Sequence, residues 1–209
     1  MSAPVQIAIL IGSTRPNRIG PHVSDWLLNL LNSEGVLHNA QFSIVDPAQF
    51  ALPSFNEPVT PLLVKDFNEF ANPTTKTWNH EMAKYDAYII VSPEYHQGIP
   101  GALKNAIDFV YHAWSGKPVM ILTYGIFGGI QASQQLHQVL GSGIGMKIAS
   151  IAPKLEFPGR DELRNNASPA LFQAMGGRVA DGTFQTWEEK KRKDIVDGCK
   201  ELLELAKPV

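Results

Sequence analysis

Hydroxyls and guanidinium groups gather in a single turn of this chain, Gly12-Ser13-Thr14-Arg15-Pro16-Asn17-Arg18-Ile19-Gly20, directly after an apolar run at residues 6–11. Gly12 lets the chain bend sharply off a strand. Ser13, Thr14, Arg15 and Arg18 all carry hydrogen-bond donors. From Arg18 through Ile19 to Gly20 a helix begins, and its first backbone N–H groups have no partner inside it. The chemistry of such a set is capture of an anion, with phosphate as the first guest. A polar turn with two surface arginines is the rival reading, and the concentration of donors at a strand-to-helix point favours phosphate. The turn has no Gly-x-Gly-x-x-Gly and no Gly-x-x-x-x-Gly-Lys-Ser/Thr, so one terminal phosphate of a mononucleotide suits it better than a tightly held pyrophosphate.

Two further loops are placed to meet that guest. Ser92-Pro93-Glu94-Tyr95-His96-Gln97-Gly98-Ile99-Pro100 follows the apolar run at 87–92. Pro93 stiffens the exit, the backbone beyond it offers N–H groups to the edge of a flat heterocycle, and Tyr95 offers aromatic surface. Taken alone, this is the pattern of a rigid βα loop with an exposed tyrosine. Thr123-Tyr124-Gly125-Ile126-Phe127-Gly128-Gly129 ends the run at 119–124, and its glycines let backbone pass close beneath something bulky and planar. A glycine-rich turn packed on its own sheet explains the same residues.

The elements that carry these loops follow from periodicity. Five apolar runs, at 6–11, 42–46, 87–92, 119–124 and 147–151, alternate with helical stripes. Continuous apolarity, as in Ile7-Ala8-Ile9-Leu10-Ile11, suits strands buried on both faces of a parallel sheet. Val23, Trp26, Leu27, Leu30 and Leu31 repeat at helical spacing behind Pro21. Leu103, Ala106, Ile107 and Val110 do so behind Pro100, and Ala132, Leu136, Val139 and Leu140 behind Gly128-Gly129. A helix is expected over 74–84. A last one is expected to open on Thr186-Trp187-Glu188-Glu189 as a capping box. This β-α alternation predicts a doubly wound α/β sheet in one domain spanning 1–209, whose ligands lie at the carboxyl ends of its strands. Residues 153–181 read as an extended insertion with one helical turn near 171–175.

Composition removes other classes. At 209 residues, 44% apolar and 18% charged, the chain has the make-up of an ordinary globular domain. A net charge of −2 gives no broad positive field for nucleic acid or anionic lipid. One cysteine, Cys199, rules out an internal disulfide framework and a cysteine-built zinc site and suits a reducing compartment. No stretch reads as a signal peptide or membrane span, so a cytoplasmic place is expected.

Some residues invite over-reading. Gly141-Ser142-Gly143-Ile144-Gly145 looks like a nucleotide fingerprint but follows a helix and precedes a strand, which suits a helix cap and turn. The charge run from Glu188 to Asp194 reads as a solvated helix face. The histidines show no metal-ligand spacing. Trp78 and Trp114 read as core by default, with cover for a flat ligand or a subunit contact as the alternative.

The combination of Gly12-Ser13-Thr14-Arg15, Pro93-Glu94-Tyr95 with Ile99-Pro100-Gly101-Ala102-Leu103-Lys104-Asn105-Ala106-Ile107-Asp108, and Tyr124-Gly125-x-x-Gly128-Gly129 resembles the NAD(P)H-dependent FMN reductase family. That family belongs to the flavodoxin-like group of quinone reductases, azoreductases and chromate-reducing enzymes. The resemblance implies a five-stranded parallel sheet of order 2-1-3-4-5 with helices on both faces. It also implies FMN as cofactor, with NADPH or NADH as hydride donor. By position, Ser13, Arg15, Arg18, Ile19 and Gly20 would hold the phosphate. Pro93, Glu94, Tyr95, His96 and Gln97 would border the ring, joined by Thr123, Tyr124, Gly125, Gly128 and Gly129. Where the family continues Pro-Glu-Tyr with asparagine, this chain has His96, read either as a proton donor to a reduced acceptor or as a surface histidine.

The implied activity is passage of hydride through bound FMN to a small oxidised acceptor, a quinone, azo compound or flavin, by a ping-pong scheme in a homodimer. No nucleophile or carboxylate pair is required of the protein. The alternatives are an FMN-binding electron carrier working with a protein partner, and a regulatory or interaction protein on the same fold without turnover.

Overall fold

The structure is a computed structural model that describes residues 3–159 and 168–207. Its centre is a wholly parallel sheet built from β1 (Val5–Ile11), β2 (Ala40–Val45), β3 (Ala87–Pro93), β4 (Pro118–Gly125), β5 (Lys147–Ile148) and β6 (Lys154–Glu156). The strand order is β2-β1-β3-β4-β5, with β6 also on β4. This is the order expected of a flavodoxin-like chain, with the switch point between β1 and β3.

Alternation along the strands sorts the core into two layers. Ile7, Ile9, Ile89, Val91, Met120 and Leu122 face a layer with α1 (Gly20–Ser33) and α6 (Thr183–Leu205). Ala8, Leu10, Tyr88, Ile90, Val119 and Ile121 face a layer with α2 (Pro73–Ala83), α3 (Gly101–Asp108) and α4 (Ile130–Leu136). Apolar residues on both faces are why these strands read as near-continuous runs. Trp78 and Trp114 are fully buried in the second layer, where Trp78 Nε1 donates to the Ala106 carbonyl. Both pack as core, their default reading.

Three expectations are revised. The fifth strand is not continuous over 147–151: it stops after Ile148 and resumes at Lys154, so the opening of the supposed insertion belongs to the sheet. Proline at 153 has no amide to give the ladder. The amides of Ser150 and Ile151 turn instead to the carboxylate of Glu201 on α6, at 2.8 and 3.3 Å. The insertion also carries a true helix, α5 (Pro169–Met175), capped by Ser168, whose hydroxyl accepts from the Leu171 amide. Asn165 and Asn166, read as turn punctuation, lie outside the described residues.

The last helix begins one turn earlier than the Thr186 capping box, behind Gly182 at φ 75°. That extra turn lays Phe184 flat on Trp26, ring centroids 5.4 Å apart. Helical structure after α4 continues with π-type bonding through His137–Ile144 and ends on Gly145 at φ 80°, so the 141–145 glycines are a helix end. Among the described residues no helix is long and apolar enough to cross a membrane.

Candidate functional site

A cavity of about 910 Å³ opens at the carboxyl ends of β1, β3 and β4, walled by the loops that leave them and by α5. Its volume is within the roughly 300–1,000 Å³ typical of small-molecule and cofactor sites. Arg15, Arg18, Ile19, Pro93, Glu94, Tyr95, His96, Gln97, Tyr124 and Gly125 border it.

The loop after β1 leaves donors unspent. The Ser13 hydroxyl is buried beside the Tyr124 phenol and has no well-formed hydrogen bond. At Gly20 a Cβ would stand 2.7 Å from that oxygen, so only glycine lets the helix start come down over it. α1 itself has Ile19 at its N-cap and no side-chain cap. Arg18 is held by two groups: Nη2 meets Asp46 Oδ2 at 2.5 Å, and Nη1 donates to the Arg15 carbonyl at 3.1 Å. Its Nε is buried and unpaired. A bare helix N-terminus, an orphan hydroxyl and an orphan guanidinium N–H together fit a phosphate, because each buried donor costs free energy until something accepts from it. Arg15 is committed elsewhere: its Nη1 donates to the Met175 carbonyl of α5 at 2.7 Å.

The loop after β3 is a tight reversal. Tyr95 and Gly98 exchange both backbone hydrogen bonds, at 2.9 and 3.1 Å, across His96 and Gln97, which stand at φ 50° and 60°. Two successive left-handed residues are the geometry of a type I′ turn, disfavoured for side chains other than glycine and asparagine. The surroundings hold it in place. The Glu94 carboxylate accepts from the amides of Gln131 and Ala132, and the Ile99 amide donates to Gln135 Oε1 at 2.8 Å. Both clamps reach the same helix, α4, and His96 and Gln97 are left exposed at the cavity.

The loop after β4 folds differently from its reading as a glycine bed. Thr123, Gly128 and Gly129 do not border the cavity. The Thr123 hydroxyl is buried and donates to the Gly128 carbonyl at 2.8 Å. Gly128 and Gly129, at φ 70° and 77°, press inward, where Cβ atoms would come within 2.8 Å of Lys154 and Thr123. The glycines therefore shape the turn while Ile126 and Phe127, 39% and 48% exposed, form the wall. Ser13 and Gly20 are likewise buried and do not border the cavity. Tyr124 is buried between Ser13 and an aromatic group containing Phe157 and Trp187, at 6.5 and 6.4 Å between centroids. Burial pushes its phenol pKa well up, so it stays a neutral hydroxyl.

Sequence reasoning missed Ile130, Gln131, Phe157, Leu171, Ala174 and Met175, which complete the wall. For Ile126 and Phe127 a signal existed: two large apolar residues between glycines in a turn have no core to enter. For α5 there was none, because its role depends on where the chain returns after β6. The result is a largely apolar chamber with a polar floor at one end, suited to a planar ring system carrying an anionic tail.

A family model described as NADPH-dependent FMN reductase matches residues 5–152. The chain is 35% identical over 204 residues to the NAD(P)H-dependent FMN reductase ntnL of Nectria sp, covering 97% of each. It is 34% identical to the NAD(P)H-dependent FMN reductase LOT6 of Saccharomyces cerevisiae, over 72% of this chain and 81% of that one. Among solved structures, the NAD(P)H:quinone oxidoreductase of Methanothermobacter marburgensis superposes with a TM-score of 0.61. It is 12% identical and covers 93% of this chain and 99% of that one, a likeness of fold alone.

Proposed function

The chain belongs to the NADPH-dependent FMN reductase family, and from that premise we propose that, as one domain, it binds FMN in the cavity above β1, β3 and β4 and reduces a small planar acceptor with NAD(P)H. Bound FMN would supply the redox chemistry, taking hydride from the reduced nicotinamide and giving it to the acceptor. The observation that carries the reading is the pairing of an unspent anion floor, Ser13 and Arg18 beneath the bare start of α1, with the apolar chamber beside it.

The protein's own part is binding and orientation. Ser13, the Arg18 Nε and the first amides of α1 would hold the phosphate, with Arg15 beside them. Pro93 to Gln97, with Tyr124 and Gly125, would border the ring, the loop fixed by the Glu94 carboxylate on the first amides of α4 and by Gln135 of α4 on the Ile99 amide. Ile126, Phe127, Ile130 and Met175 would keep water from the reacting face, where a hydride is otherwise lost to side reactions. One chamber serves donor and acceptor in turn, which supports a ping-pong order. His96, exposed at the rim, is placed to hand a proton to a reduced acceptor. A quinone, an azo compound or a free flavin all meet the chamber's demand for a flat, mostly apolar partner.

The test is the absorption spectrum of the protein purified with FMN, followed under anaerobic addition of NADPH and then of a quinone. Bleaching by NADPH and recovery on quinone is expected. Flavin bound but no steady-state NADPH oxidation would make the protein an electron carrier. No flavin absorption after FMN addition would leave an interaction protein on this fold.

A further inference from the structure

A second, smaller cavity of about 380 Å³ adjoins the first and shares Phe127, Ile130 and Phe157 with it. Its charged lining is mostly basic: Lys154 from β6 and Lys190 and Lys191 from α6, against one carboxylate, Glu156. The whole protein carries a net charge of −2, so three ammonium groups around one hollow are a local departure and not a sample of the surface.

These lysines are little spent within the protein. Lys154 Nζ donates to the Ala152 carbonyl, at 3.2 Å. The Lys154 ammonium also helps hold the His137 pKa down, after burial, so its field reaches across to the end of α4. Lys191 pairs with Asp194 at 3.2 Å, one turn along its own helix, with its side chain 35% exposed. Such a pair is weak and readily shared with a stronger anion. Lys190 stands exposed.

We propose that this cavity receives the 2′-phosphate of NADPH, an inference that rests on reading the main cavity as the site of flavin and nicotinamide. The nicotinamide must lie where the acceptor later lies, inside the main chamber. The rest of a dinucleotide is too long to stay there and has to leave past some part of the wall. One stretch of that wall, at Phe127, Ile130 and Phe157, is shared with the smaller hollow. Phe127 gives an exposed aromatic face on that route, suited to a base. What waits beyond is positive charge from two separate elements, the arrangement that a compact, doubly charged phosphate ester selects. NADH, which has a 2′-hydroxyl there, gains nothing from it. The charge run on α6, which as sequence reads as a solvated face, thus acquires a use on its Lys190–Lys191 side.

The test uses the FMN-loaded enzyme and its Lys154→Gln/Lys190→Gln variant, which keeps side-chain length and removes two charges. KM is measured for NADPH and for NADH with one quinone. Separately, binding of adenosine 2′,5′-bisphosphate and of adenosine 5′-monophosphate is followed by calorimetry. The KM for NADPH should rise about tenfold, equivalent to about 1.4 kcal/mol, while that for NADH moves less than about twofold. The bisphosphate should bind the parent more tightly than the monophosphate, and the variant should lose that difference. An equal rise for both nucleotides would assign the lysines to the shared pyrophosphate and overturn the proposal, as would no change in either. Failure of the flavin reading would look different: the parent would oxidise neither nucleotide.

Discussion

The guanidinium of Arg15 donates to the main-chain carbonyl of Met175 at 2.7 Å, tying the loop after β1 to the end of α5 across 160 residues of sequence. The same join is tightened at Gly177, where a Cβ would stand 3.1 Å from the Asn17 backbone. The anion floor and the far wall of the chamber are therefore one mechanical unit. A ligand that draws on Arg15 also acts on α5.

Replacing Arg15 with alanine is expected to weaken FMN binding by about ten- to a hundredfold, the loss of one hydrogen bond to a charged group at about 1.5–3 kcal/mol. The KM for a quinone should change far less. In the FMN-free protein the same change should speed amide hydrogen exchange over residues 169–177, because α5 loses its tie to the first loop. Equal FMN affinity in variant and parent would remove Arg15 from the phosphate floor. Unchanged exchange would show that the Gly177 contact alone holds α5.

Ser13 separates stability from function. Its hydroxyl is buried without a well-formed hydrogen bond, which costs about 1–3 kcal/mol for a polar group. Ser13→Ala should therefore leave the urea midpoint of the FMN-free protein unchanged or higher, yet bind FMN at least about tenfold more weakly, since one hydrogen bond to a charged phosphate is worth about 1.5–3 kcal/mol. Gly20→Ala should do the reverse. Its Cβ would meet Ser13 Oγ at 2.7 Å and Ile11 Cγ2 at 2.9 Å, and such overpacking costs about 1–3 kcal/mol of stability before any ligand is considered. A fall in the midpoint of Ser13→Ala would mean that the hydroxyl already has a structural use.

What the sequence made legible was whatever local chemistry determines. Ile7 to Ile11 and Tyr88 to Val91 announce doubly covered strands because every residue is apolar, and Pro21 announces the helix that Val23 and Leu27 bury. Arg18 and Ser13 were legible as donors because both sit at a strand-to-helix turn. Their partners were not. Asp46 closes on Arg18 from the end of β2, and Met175 on Arg15 from α5; such pairings exist only after distant segments meet. Gly128 and Gly129 were legible as a turn, but which side of it faces the ligand depends on Lys154 and Thr123 behind it. The interruption of the fifth strand was hidden for the same reason, since it needs a carboxylate from α6.

That carboxylate, Glu201, gives a pH signature. Burial pushes its pKa up, but the amides of Ser150 and Ile151 and the Ser150 hydroxyl outweigh this and hold it below the ordinary 4.5. A carboxyl with a depressed folded pKa contributes stability that is fully present above the unfolded value and is lost as pH falls through the folded one. Glu201→Gln should therefore lower stability at pH 7 by about 1–2 kcal/mol, the difference between charged and neutral acceptors for these donors. The gap between variant and parent in urea unfolding should shrink steadily below pH 4.5. A gap that is constant from pH 7 to pH 3 would mean that the charge contributes nothing.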